Sequence, residues 1–505
     1  MNEGEVNPNV IEKEFDRDTA LLYRKKGPSI PFLAFSILRN ASRLVSPQKN
    51  AQLHSKSISD DESTLQIMGG MRFYAMLWII YANTLALSEK GVVANIKNKP
   101  KMFDDFMFTI FPTAYFAADV FLFMSGFLAI YSMLKLTKFN AFTVLYQYLR
   151  RAYRLIPVLA FVMFTARFLI PRFVEGPMCQ RYNEQFGSCD QDFWRNLLLI
   201  RNFFASDISS TCLPWVWFVS VDFQLFLLVP LIAVLFQKSK IGGYVTSLAL
   251  VGISLILTAV LNGVSDHPGA NPYLDVEFFN SLYIKPWARA VPYYLGVYIG
   301  SSFYYHIKDE ESNSIYLRIK ENPWLRAFMY FTGFSSMFVI TFVVFDYTQT
   351  MGTNWSTAAK VSYATIAPPT FIFGVICWIL PALLNRAKLF RFLLTGPILT
   401  LLGRVSYMVA LCHPILMIAI NVTSGQQIYV EGYKMFAIFV GHAFLIYLLA
   451  TSLNLMIEMP LRGLEGIWYD KFYAVNMTEN WITAQNFEKA SVKKVNAKEI
   501  SEMTK

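Results

Sequence analysis

The sequence predicts an all-α, polytopic membrane protein with about ten transmembrane helices, each of the length that hydrocarbon demands. Three observations predict it. Charged residues make up only 16% of the 505-residue chain, against roughly 25% in soluble domains. Apolar stretches long enough to cross a bilayer recur along nearly the whole chain. The segments between them alternate between rich and poor in Lys and Arg. Apolar residues reach 54% and the mean hydropathy is +0.37, so most of the surface must face something other than water.

The expected spans are 71–88, 111–134, 154–173, 215–236, 243–261, 288–305, 325–346, 361–384, 399–422 and 433–457. Pro368 and Pro369 are expected to disrupt the eighth. The stretches around them divide the chain into a cytoplasmic N-terminal segment, 1–66, a transmembrane domain, 67–468, and a charged tail, 469–505. Within the first segment, Pro31–Val45 combines apolar residues with Arg39 and Arg43. It reads either as a helix lying on the leaflet or as a linker.

Basic residues mark one set of connections: Arg24, Lys25 and Lys26 before the first span, loop 135–153 with Arg150 and Arg151, and loop 385–398. Loop 423–432 carries none, whereas loop 89–110 breaks the pattern with four lysines. The balance places both termini in the cytoplasm. The net charge of +10 is therefore a topological signal. No soluble basic domain exists to carry a nucleic-acid site. Met1–Asp18 is acidic and polar, unlike a cleavable presequence or transit peptide. Endoplasmic reticulum or plasma membrane is the default location, with the mitochondrial inner membrane as the alternative. Cys179, Cys189 and Cys212 all fall on the opposite, oxidising side, where a disulfide among them is expected without its pairing being specified. Sequons at Asn40, Asn354, Asn421 and Asn476 fall on both sides.

Ionisable side chains inside a span are costly and point to function. Here they are Arg72, Asp119, Asp222, Arg404, His413 and His442, with Arg289 near the outer edge. A helix rises about 1.5 Å per residue, which places Asn83, Asp119, Asp222, His413 and His442 in one expected polar layer. Arg72, Arg154 and Arg404 fall near the cytoplasmic end beside Arg150 and Arg151. These arginines serve either as anchors or as a basic mouth for an anionic, phosphate-rich donor. There is no Gly-rich phosphate loop, no nucleophile elbow, and no His/Cys/carboxylate cluster with metal-ligand spacing, so no metal and no bound cofactor is expected.

Seven segments in order carry a family resemblance. They are Gly70–Thr84, Asp119–Phe127, Tyr148–Pro157, Trp217–Phe226, Lys285–Pro292, Ser406–Pro414 and Glu458–Glu465. Together they resemble the acyltransferase 3 superfamily, in its nose-resistant-to-fluoxetine branch, across about residues 35–468. The resemblance implies an acyl-CoA donor, a hydroxyl acceptor, an arginine that helps hold the donor, and a first-span histidine eleven residues after it as general base. Arg72 is present, but Asn83 stands at the histidine position, and an amide cannot take a proton at neutral pH. Leu159 and Ala410 stand where the family carries tyrosines.

Two readings follow. In one, the base has moved to His413, oriented by Asp119 or Asp222, with Arg72, Arg150, Arg151, Arg154 and Arg404 at the donor. In the other, the fold survives without the chemistry, as a lipid-binding or structural subunit with membrane lipids and protein partners. A transporter is a third class.

Overall fold

The computed structural model describes residues 30–45, 58–136, 141–204, 211–308 and 314–466. The basic residues Arg24, Lys25 and Lys26, the tail 469–505 and the sequon at Asn476 lie outside them. Among the described residues there are helices and one isolated β-bridge, Val93–Ile428, and no strand. Ten long helices correspond to the ten expected spans. They are α1 (Ile58–Ala86), α2 (Phe116–Leu134), α3 (Ala141–Phe164, continued by wider and tighter turns to Arg172), α4 (Pro214–Lys238), α5 (Lys240–Gly263), α6 (Pro286–Lys308), α7 (Pro323–Gln349), α8 (Thr357–Leu383), α9 (Ser406–Thr423) and α10 (Gly432–Leu453). Eight of them lie in helices long and apolar enough to cross a membrane; α1 and α6 are the two more polar ones. The protein is an all-α, polytopic membrane protein.

Local chemistry sets the helix starts. Asn322 accepts from the amides of Trp324 and Leu325 at 2.9 and 3.2 Å, with Pro323 supplying a first residue that has no N–H and needs no acceptor. Ser239 and Ser356 cap α5 and α8 in the same way.

Four expectations need correction. The first helix begins at Ile58, well before residue 71. The third begins at Ala141, so Arg150 and Arg151 belong to a helix rather than a loop; Leu, Gln, Arg and Ala in this stretch are strong helix formers. The ninth span is broken at Val405, between Pro397–Arg404 and α9. Pro368 and Pro369 do not interrupt α8. They delete the donors to the carbonyls of Ala364 and Thr365, but the turns on either side persist, as membrane helices packed on neighbours allow.

The chain divides into two units, Arg43–Asn454 and the paired ends Met1–Ser42 with Leu455–Lys505. The Pro31–Val45 stretch forms helices Ile30–Leu33 and Ile37–Val45. Asn40 is buried and donates to the carbonyls of Ala34 and Leu455 at 2.9 and 3.2 Å. Phe32 and Leu38 are exposed. Asn421 is also buried, donating to Leu87 O, whereas Asn354 is exposed.

In the larger unit, α2 and α6 form the core contact. A Cβ at Gly126 would lie 2.1 Å from Tyr293 O, and one at Gly296 2.1 Å from Phe123 O. The two backbones therefore touch, as small residues permit where apolar association has no water to drive it. This contact sets the depth of Asp119 on α2 against Arg289 on α6.

The α3–α4 connection carries the short helices Cys179–Gly187 and Cys189–Leu197. Its disulfide joins Cys189 to Cys212, and Cys179 is free. Closing a loop of 23 residues removes denatured-state freedom equivalent to about 3 kcal/mol. Reduction, or Cys189→Ser with Cys212→Ser, is expected to lower thermal stability by that amount. Cys179→Ser is expected to leave it unchanged.

Candidate functional site

Four polar contacts run through the helices, and they distribute the expected residues differently from one common layer. The first joins α1 to α9. The side-chain nitrogen of Asn83 lies 2.9 Å from His413 Nε2. His413 Nδ1 faces the carbonyls of Val409 and Ala410, each at 3.0 Å. A carbonyl only accepts, so Nδ1 carries the proton. In the neutral ring Nε2 then holds the lone pair, and the Asn83 amide donates to it. The next residue explains the geometry. Pro414 has no amide hydrogen, so the carbonyl of Ala410, four residues back, lacks its helical donor. The imidazole of His413 supplies one. The His-Pro order thus selects the tautomer.

The second contact joins α1 to α10. Thr84 donates to Ile80 O at 2.9 Å and lies 3.3 Å from His442 Nδ1. A hydroxyl has one proton, so His442 Nδ1 donates to Thr84. Consecutive residues of α1 thereby engage both membrane histidines.

The third and fourth contacts hold the carboxylates elsewhere. Asp119, fully buried, accepts from Arg289 Nη1 at 2.9 Å, and the guanidinium lies 4.0 Å over the ring of Tyr283. Asp222 is paired with Arg151, which also donates to Ser125 Oγ at 2.8 Å and lies 4.1 Å over the ring of Phe226. Neither carboxylate meets His413. The expectation that Asp119 or Asp222 orients it is therefore corrected: both ring nitrogens are already engaged, and each aspartate sits against an arginine. That outcome follows from charge. A buried carboxylate is stabilised far more by a guanidinium than by a neutral imidazole.

The donor arginines lie on three different helices. Arg404 ends Pro397–Arg404 and donates to Leu44 O at 2.9 Å. Arg150 and Arg154 are exposed on α3, and Arg72 is half-buried on α1. Among the described residues, no group of three His, Cys, Asp or Glu is placed to hold a metal ion. Sequence reasoning missed Thr84 and Ser125. Each is a single hydroxyl with no signal of its own.

A family model described as an acyltransferase domain, acyltransferase 3, matches residues 66–457. The chain is 23% identical over 480 residues to nose resistant to fluoxetine protein 6 of Caenorhabditis elegans, covering 89% of this chain and 56% of that protein. It is 22% identical over 267 residues to the regulator of hypoxia-inducible factor 1 of the same organism, covering 48% and 52%. The chain thus spans about half the length of these curated relatives. No solved structure matches it significantly. The helical bundle and the family match over most of its length carry one conclusion: this chain belongs to the acyltransferase 3 family.

Proposed function

We propose that the chain keeps the acyl-CoA-binding frame of its family but has lost the general base, and serves as a lipid- or acyl-binding membrane protein within a larger assembly. One observation carries this reading: the only lone pair on the His413 ring is occupied by the Asn83 amide. A base whose acceptor nitrogen already takes a hydrogen bond, and which no carboxylate orients, is poorly prepared to remove a proton from a hydroxyl. Arg72 on α1 and the exposed Arg150 and Arg154 on α3 remain as the group that meets the donor phosphates. Membrane lipids and protein partners are the expected company. Endoplasmic reticulum or plasma membrane is the proposed location.

A second reading has its own observation. The imidazole of His413 reaches the side chain at the family's histidine position, within 2.9 Å. A turn of the Asn83 amide would free Nε2 and leave His413 as a relocated base.

Purified full-length protein with acetyl- and longer acyl-CoA separates the two. The first reading expects saturable acyl-CoA binding with no thioester cleavage, alone or with candidate hydroxyl acceptors. The second expects cleavage that disappears in His413→Ala while folding is kept. Turnover by the wild type sinks the first reading; silence in both proteins sinks the second.

A further inference from the structure

Away from the helix-crossing contacts, the α3–α4 connection collects buried hydrogen-bond donors that have no acceptor among the described residues. Arg195 and Arg201 share one carboxylate. Asp192 meets Arg195 Nη1 through one oxygen and Arg201 Nη2 through the other, both at 3.1 Å. One negative charge therefore faces two positive ones. Arg201 is only 7% exposed, yet its Nε and Nη1 are buried without a partner among the described residues, as is Arg195 Nε. Leaving such donors dry and unmatched is costly.

A further cation stands next to them. Lys285 is buried, and its Nζ donates to the carbonyl of Asn202 at 2.5 Å. Burial pulls the Lys285 ammonium and the Arg201 guanidinium below their ordinary pKa values. Two residues on, the ring of Trp287 packs at 6.2 Å against Phe203, and its indole N–H is also buried without a partner. One acceptor nearby, Asn196 Oδ1, is unmatched too, but it is neutral and cannot balance the charge. The missing component is an anionic, oxygen-rich group.

The surroundings say where it comes from. Trp194, Leu198, Phe203 and Phe204 are all exposed on this connection, and Arg195 lies 5.4 and 5.6 Å over the rings of Trp194 and Phe204. Aromatic side chains beside arginine are the composition of a membrane–water interface at headgroup depth.

We infer that Arg195, Arg201, Lys285 and Trp287 bind the phosphate of a phospholipid from the leaflet on this side, its acyl chains lying along Trp194, Leu198 and Phe204. Phosphate oxygens accept from the guanidinium edges and from the indole, and their charge offsets the excess that Asp192 leaves. The site uses neither Asn83 nor His413, so it stands apart from the question of acyl transfer.

Full-length protein, delipidated in mild detergent, is titrated with phosphatidylglycerol, with diacylglycerol and with inorganic phosphate, and the melting temperature is followed. Phosphatidylglycerol is expected to raise it saturably, while the other two do not at matched concentration. Trp287→Phe keeps the ring and drops the N–H, and is expected to weaken the apparent affinity about tenfold, the size of a lost hydrogen bond to a charged group. Arg201→Gln is expected to abolish the response; should that variant fail to fold, Trp287→Phe decides. A response to diacylglycerol equal to that of the phospholipid, or unaltered binding by Trp287→Phe, overturns the site. Inorganic phosphate binding as tightly as the lipid overturns the lipid assignment. No thioester is involved, so failure here is distinct from failure of the acyl-CoA reading.

Discussion

Asp119→Ala is expected to destabilise the protein by about 3–5 kcal/mol, the cost of stranding a buried charge. Asp119 is 0% and Arg289 2% exposed, and the pair sits where α2 and α6 touch through Gly126 and Gly296. Removing the carboxylate leaves the guanidinium buried over the ring of Tyr283. Its Nε already lacks a partner, as does the second oxygen of Asp119. The pair is therefore imperfectly satisfied even when whole. Replacing both members with apolar residues of similar volume, Asp119→Leu with Arg289→Met, is expected to recover most of the loss. Thermal unfolding in one detergent, wild type beside the single and double variants, reads the effect. A single variant within about 1 kcal/mol of wild type, the range of an ordinary substitution, would show that Asp119 is not held as an ion pair.

Asn83→His is expected to raise thioester cleavage at least about a hundredfold over wild type, the lower end of what a positioned general base contributes. The effect runs through His413. Its Nδ1–H is committed to the carbonyls of Val409 and Ala410, the second of which Pro414 leaves short of a donor, so its Nε2 must accept. An imidazole at position 83 can donate one N–H to that nitrogen and keep its other nitrogen as a lone pair near the reacting acyl group. The residue beside it would thereby fix the tautomer of the new base, the role that a hydrogen-bond partner plays for a catalytic histidine. Asn83→Ala separates this from simple release of His413. Cleavage in Asn83→Ala comparable to that in Asn83→His would mean that the amide was masking a competent His413. Wild-type turnover equal to that of Asn83→His would sink the proposal that the base is lost.

Much of this architecture was legible because a bilayer restricts what a chain can do. Backbone groups in hydrocarbon must bond within their own segment, so an apolar run of sufficient length is a helix whatever surrounds it. The ten helices follow from that rule. Their ends follow less well. The polar first turns of α1 and α3 do not register on hydropathy, although Arg150 and Arg151 are good helix residues. The break at Val405 within an apolar run leaves no hydropathy signal either.

The site divides along the same line. That Asn83 replaces a histidine, and that His413, Asp119 and Asp222 are costly where they stand, is written in residue type and depth. Depth is one coordinate, and pairing needs the other two. The rotation of each helix about its axis turns Asn83 toward His413, Asp119 toward Arg289 and Asp222 toward Arg151, and it is set by contacts distant in sequence, such as Gly126 against Tyr293. The sequence by itself determined a membrane-spanning helical bundle of the acyltransferase 3 family and the residues that hydrocarbon makes expensive. Only the tertiary structure decided the partner of each, because buried charges bind whichever opposite charge packing brings within reach.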